Sequence, residues 1–321
     1  IGHDLIASGS ATRQIKFGTS TTWTISGSVN LSGSNLAADF GSSAITAGAN
    51  WDSSGTNTFT VGTSTVNLNG TGTFKTAVDV ETFYNLTCAA STKTTTLDVT
   101  SVNIEPQIKN VLTLGAGTLT KAGSYSAALA LTKAAADPGV TPLVLGNANT
   151  GSGVVIKFIP SGAGMVNIAG GNYNLGAIDA YAKVDGITFK LADSITGSAG
   201  LNLYANNNIT TTVDLNNKNV LSAYLKFGKS TNTGSVTLNA GSGAVTFNGT
   251  VGLSLNNNGG SHTLNLSSST WTLLGNWQLT QGTGSLTVAS QTSTVIFTST
   301  NDSYIYGDNT FYNLKCATAG K

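Results

Sequence analysis

The chain has 321 residues, with 39 Gly, 4 Pro, 2 Cys and only 9% charged side chains, and its 15 basic and 14 acidic residues leave a net charge of +1. Since about 25% charged is usual for a soluble domain, hydroxyls and amides must solvate this surface instead. The charge balance and a single arginine, Arg13, exclude a nucleic-acid binder that displaces counterions, no apolar run reaches the roughly 18 residues of a membrane span, and two cysteines make no disulfide framework.

Short apolar/polar alternations separated by Gly, Asn and Ser run along the whole chain, as in Val236-Thr237-Leu238, Val245-Thr246-Phe247 and Leu264-Asn265-Leu266. These are strand and turn signals. The chain opens at Ile1 rather than Met, which suggests a processed form or a piece of a longer protein. Segments then recur. Ile15-Lys16-Phe17-Gly18 is matched by Leu225-Lys226-Phe227-Gly228, and Thr22-Trp23-Thr24-Ile25 by Thr270-Trp271-Thr272-Leu273. Thr82-Phe83-Tyr84-Asn85-Leu86-Thr87-Cys88 returns as Thr310-Phe311-Tyr312-Asn313-Leu314-Lys315-Cys316, with a weaker echo at Tyr173-Asn174-Leu175. Each Tyr-Asn-Leu follows an apolar strand, at Val66, Val155 and Val295, by a nearly constant interval. A module near 15–93 therefore recurs near 225–321. The predicted organisation is an N-terminal β-repeat module (1–119), a divergent middle module (120–224) and a C-terminal repeat module (225–321). All four prolines fall between the two copies, at 106, 138, 142 and 160, and the Ala-rich stretch Ser126 to Asp137 reads as a helical turn or a loop.

Recurring short strands with frequent turns predict an all-β solenoid of stacked rungs, like a parallel β-helix. A tandem array of β-sandwiches is the alternative. At roughly 22 residues per coil the chain would make about 15 coils spaced by about 4.8 Å.

Few constellations can carry chemistry. Asp79 and Glu81 share a strand face and could serve as a carboxylate pair for glycoside cleavage; the plainer reading is a solvent-facing pair. Asp302 and Asp308 could bind a hard cation. His3 and His262 lie far apart, and no His/Cys spacing suggests zinc. The expectation is therefore no catalytic residue, no metal and no cofactor. Trp23 and Trp271 occupy matching repeat positions with an apolar partner two residues on, which points to core; Trp51 and Trp277 remain open as core or as sugar-stacking surface. Cys88 and Cys316 read as small buried side chains, too far apart for a bridge within one solenoid, so a disulfide could only join different chains. Asn85 sits in an Asn-x-Thr sequon but repeats as Asn313, which also suits a stacked Asn ladder.

At Trp-Thr-[Ile/Leu], Thr-Ser-Thr-Val and Thr-Phe-Tyr-Asn-Leu the chain resembles a repeat found in long, predicted β-helical surface proteins of bacteria and archaea. The resemblance implies an extracellular or cell-surface structural or adhesive role. Lys321 aligns with Lys93, so the last module stops before the counterpart of the strand that follows Lys93. Two readings follow: the sequence continues with further modules, or the open solenoid end receives the start of a second copy by head-to-tail strand addition. The candidate inter-subunit residues are Ile1, Leu5, Ile6, Cys88, Cys316 and Lys321. The leading expectation is a structural subunit of an extracellular fibre, sheath or surface assembly. An adhesin or viral tail-fibre segment binding surface glycans, and a β-helical polysaccharide-cleaving enzyme, are the alternatives.

Overall fold

A computed structural model describes residues 2–55, 57–77, 81–146, 153–169, 176–229, 231–255, 259–279, 283–299, 301–307 and 309–317. Among them there is no helix, and parallel strands stack into about 12 turns of β-solenoid. The expected 15 coils are too many because most turns are longer than 22 residues. The chain divides into two compact units, 1–133 with 142–156, and 134–141 with 157–321.

In the first unit the first three turns visit three faces, and the later ones only the first and third. The first face stacks Leu5–Ile6, Val29–Asn30, Trp51–Ser53, Gly72–Thr76, Thr94–Asp98 and Thr118–Ala122. The second stacks only Arg13–Lys16, Leu36–Asp39 and Asn57–Thr60. The third stacks Thr22–Ile25, Ala44–Ala47, Thr65–Leu68, Thr82–Cys88 and Gln107–Leu114. Alternation sends every second side chain inward, so inward residues form columns along the stack. Leu5, Val29, Trp51, Phe74 and Leu97 make one column; Trp23, Ile45, Val66, Leu86 and Leu112 make another. From Ile45 and Val29 onward these side chains are buried, and edge-on ring contacts such as Phe40–Trp51 tie neighbouring turns together. The corner from the second to the third face is built on stacked left-handed residues, Gly18, Gly41 and Gly62, with φ of +90°, +56° and +50°. A Cβ on Gly41 would strike the Gly18 carbonyl oxygen, and one on Gly62 the Gly41 oxygen, so both must be glycine for turns to stack this closely.

The second unit repeats the scheme. Gly164–Ile168, Ile187–Leu191, Thr210–Asp214, Ser235–Asn239, Ser261–Asn265 and Ser285–Ala289 form its second face. Its third and first faces are joined by the long strands Val220–Phe227 and Ala244–Leu255, then separate again into Thr270–Leu273 with Trp277–Gln278 and Thr294–Phe297 with Ile305–Tyr306. On its outer surface Thr188, Thr212, Thr237, Thr263 and Thr287 stand in register on successive turns. This is the hydroxyl skin that the composition demands. Beside it Asn265 Nδ2 donates to Asn239 Oδ1 at 2.7 Å.

The stacking explains most of the recurring segments. Val66 pairs with Leu86, and Val295 with Leu314, so the near-constant interval before Tyr-Asn-Leu is one turn. Ser64 and Ser293 of the Thr-Ser-Thr-Val segments are buried at equivalent corners. One sequence match is not a structural equivalence: Ile15 pairs with Ala38 on a second face, whereas Leu225 pairs with Leu253 on a first face. The Ala-rich stretch holds neither helix nor loop at its start. Ala127–Leu131 is a strand whose five residues are all buried. The echo at 173–175 lies outside the described residues.

Candidate functional site

Glu81 is not solvent-facing as expected. It is 4% exposed, inside the first unit. Alternation from Phe83, which points inward, carries Glu81 to the same side. Its surroundings explain why a carboxyl is tolerated. Trp51 Nε1–H donates to Ser53 Oγ at 2.9 Å, and Ser53 Oγ–H donates to Glu81 Oε2 at 2.7 Å. Burial pushes the Glu81 carboxyl from 4.5 up to about 8, against the opposing pull of the Ser53 hydrogen bond. At neutral pH the group is therefore largely a neutral acid. In the second unit the matching place is Asn309, whose Oδ1 accepts from Trp277 Nε1–H at 2.8 Å. Glu81 and Asn309 thus do the same work, receiving the polar edge of a buried tryptophan, directly or through a serine. Asp79, the other half of the proposed carboxylate pair, lies outside the described residues, as does Asp308 of the proposed cation site.

Trp51 and Trp277 are a correspondence that the sequence reading missed. Each follows an asparagine, and each asparagine Oδ1 accepts a backbone N–H from the next turn: Thr73 on Asn50 at 2.8 Å and Tyr304 on Asn276 at 2.9 Å. Each indole meets the Phe of the recurring Thr-Phe-Tyr-Asn-Leu segment, Trp51 with Phe83 at 6.1 Å and Trp277 with Phe311 at 5.4 Å. The Asn-Trp dipeptide placed 32 or 34 positions before that Phe was the available signal. In both units this segment comes one turn after the last strand of the second face, Asn57–Thr60 or Ser285–Ala289. The segment therefore marks where that sheet stops.

The two copies differ in what covers them. Strand Thr82–Cys88 is paired on both edges, by Thr65–Leu68 and by Gln107–Leu114, and Phe83, Leu86 and Cys88 are buried. Among the described residues, strand Asn313–Cys316 pairs with Thr294–Phe297 alone. Tyr312 is 61% and Leu314 48% exposed, and Tyr304, Ile305 and Tyr306 stand open beside them. Half of the large exposed apolar side chains among the described residues collect on this one rung. A cavity of about 350 Å³ opens there, lined by Phe297, Ser303, Tyr304, Ile305 and Cys316 among others. Cys316 is thus exposed rather than buried as expected, whereas Cys88 is buried and its thiol is pushed up to about 12 by desolvation. Both thiols are free.

Of the other candidates, Leu5 is an inward residue of the first rung, and Ile6 points outward at 62% exposure. Ile1 and Lys321 lie outside the described residues. Trp271 and Trp277 are fully buried, as is Trp51; Trp23 is only half-buried because its own rung is covered on one side, by Ile45. Asn85 is a ladder residue. Its Nδ2 donates to Thr65 Oγ1 at 3.1 Å, and it accepts from Asn110 Nδ2 at 2.8 Å. No group of three or more His, Cys, Asp or Glu side chains among the described residues could hold a metal ion. No helix among them is long and apolar enough to cross a membrane.

Comparison with protein-family models, with curated proteins and with solved structures finds no match.

Proposed function

We propose that the protein is a structural subunit of an extracellular fibre, sheath or surface assembly, associating by adding rungs to its own stack. The observation that carries this reading is the last rung of the second unit. Among the described residues, a strand whose counterpart is sealed between two neighbours pairs on one edge alone, beside an open cavity and five exposed large apolar side chains. A free parallel edge with inward apolar residues is a template for a further strand, and a contiguous apolar patch marks an interaction surface. The hydroxyl and amide skin with little charge supports an extracellular setting. Neither alternative gains comparable support. The enzyme reading used Glu81, which is buried as the partner of the Trp51–Ser53 pair. The glycan reading drew on tryptophans, of which Trp51, Trp271 and Trp277 are buried.

Sedimentation velocity of the full chain over a range of concentrations tests the reading. It predicts concentration-dependent multimers that Leu314→Lys abolishes while far-UV circular dichroism stays unchanged. A wild type that remains monomeric at every concentration, indistinguishable from Leu314→Lys, overturns it.

A further inference from the structure

Seven Asn-x-Ser/Thr sequons stand in the sequence, at Asn30, Asn69, Asn85, Asn208, Asn248, Asn265 and Asn301. The fold sorts them. An acceptor for N-glycosylation must lie on the surface with its side-chain nitrogen free. Asn85 and Asn265 fail this condition, because their Nδ2 atoms donate along the stack, to Thr65 Oγ1 and to Asn239 Oδ1. Asn30 is half-buried, and its Oδ1 accepts from both the backbone N–H and the hydroxyl of Ser32, the last residue of its own sequon. Asn301 is exposed, but the Ser303 hydroxyl two positions on is buried. Asn69, Asn208 and Asn248 remain. All three are exposed, and so is the threonine of each sequon, Thr71, Thr210 and Thr250. Among the described residues none of these three side-chain amides is hydrogen-bonded.

Two of the three repeat each other. Asn69 follows the third-face strand Thr65–Leu68 and precedes the first-face strand Gly72–Thr76. Asn248 lies in the long strand Ala244–Leu255, after its third-face part, which ends at Phe247, and before its first-face part at Leu253. Both therefore occupy the corner from the third face to the first, one in each unit, and both read Asn-Gly-Thr. The buried residues just before them, Leu68 and Phe247, point inward, so alternation turns the asparagines out. Packing on the previous turn dictates the glycines. A Cβ on Gly70 would strike the Gly48 carbonyl oxygen, and one on Gly249 would lie 2.6 Å from the Ala223 oxygen. The exposed asparagines carry no such constraint. Asn208 sits at a different corner, between Leu201–Ala205 on the first face and Thr210–Asp214 on the second. Its φ of +59° is one that asparagine adopts more readily than most residues, and it sets the side chain outside both strands.

We propose that Asn69, Asn208 and Asn248 are N-glycosylation sites, and that Asn85 and Asn265 stay unmodified. The inference rests on the extracellular setting of the reading above. In the transfer, Nδ2 bonds to the anomeric carbon of a saccharide carried on a lipid pyrophosphate. The bond from that carbon to the pyrophosphate oxygen breaks, the lipid pyrophosphate leaves, and the amide proton passes to a carboxylate of the transferase. Saccharides at corners stand to the side of the stack rather than between its rungs, so they leave strand pairing unobstructed. They also add solvation to a chain with only 9% charged side chains.

Peptide mapping of the purified native chain by mass spectrometry tests the assignment, with electron-transfer fragmentation so that a saccharide stays on its asparagine. The expected result is a saccharide mass at Asn69, Asn208 and Asn248 and none at Asn85 or Asn265. Bare asparagines at all three corners, or saccharide at Asn85 or Asn265 instead, overturn the proposal. A second measurement uses the folded full chain with a purified oligosaccharyltransferase and a lipid-linked saccharide. Thr250→Ala keeps Asn248 but ends its sequon, and should lose the saccharide at Asn248 alone. Loss at all three sites in a variant whose circular dichroism is unchanged, or at none, overturns the proposal. Sedimentation of the same native preparation separates this inference from the assembly reading. Multimers with bare corner asparagines overturn the glycans alone, and saccharide on a chain that stays monomeric at every concentration overturns self-association alone.

Discussion

Glu81 offers the sharpest test of how the first unit is held together. Its carboxyl titrates near 4.5 in the unfolded chain and near 8 in the folded one. Below 4.5 both states are protonated, and the buried acid costs nothing by titration. As pH rises from 4.5 towards 8, the unfolded chain releases a proton that the folded one keeps, so stability falls with increasing pH. The slope is about 1.4 kcal/mol per pH unit, which takes about 3 kcal/mol from the first unit between pH 5 and 7. Glu81→Gln keeps an acceptor for the Ser53 hydroxyl and cannot ionise. The variant should match the wild type near pH 4.5 and exceed its stability progressively above that. Two units need not unfold as one, so the assay is amide hydrogen exchange by mass spectrometry, read on peptides covering Trp51–Ser53 and Gly72–Thr76 and corrected for the intrinsic pH dependence. Equal pH slopes in wild type and Glu81→Gln would refute the argument that burial, rather than pairing, governs this carboxyl.

The second unit should respond to pH in the opposite sense. His262 is buried opposite Leu286, its Nδ1 accepts the Val236 N–H, and burial depresses its pKa from 6.5 to about 4. Exchange from the Ser261–Asn265 peptide should therefore accelerate as pH falls from 6.5 towards 4, by about 1.4 kcal/mol per unit, and His262→Gln should remove the effect. Trp271→Ala, which empties a fully buried site between Val245 and Val295, should cost about 3–5 kcal/mol by denaturant unfolding of the second unit. Asn85→Ala, which breaks the Thr65–Asn85–Asn110 ladder, should cost about 1–2 kcal/mol in exchange from Thr82–Cys88. An Asn85 left glycosylated with no loss of stability would contradict that role.

What could be read from the sequence was whatever depends on alternation and on repeats. Val66 and Leu86, or Val295 and Leu314, announce one turn by their spacing, and the Trp271 position announces core because its neighbours repeat as well. The solenoid follows from these alone. What could not be read was what depends on the neighbouring turn. Trp23 and Trp271 share a local sequence, yet one is half-buried and the other sealed, because burial in a stacked fold comes from the rung on either side. Cys88 and Cys316 differ for the same reason. Glu81 was legible in part: its parity with Phe83 turns it inward, but carboxyls so seldom enter a core that the rule for side chains was set aside. The partner that makes the burial tolerable, Ser53, lies 28 positions away and leaves no local sign. Ala127–Leu131 reads as a helical turn or a loop from its alanines, and packing on both faces makes it a strand instead.

The central claim is that this solenoid grows by adding copies of itself. Electron microscopy of the purified native chain, supported by fibre diffraction from aligned material, tests it most directly. Filaments with a reflection near 4.8 Å are the predicted result, because added rungs repeat the inter-strand spacing within each unit. Discrete single particles at every concentration, with Cys316 reacting with a thiol reagent as fast as an unstructured cysteine, would contradict it.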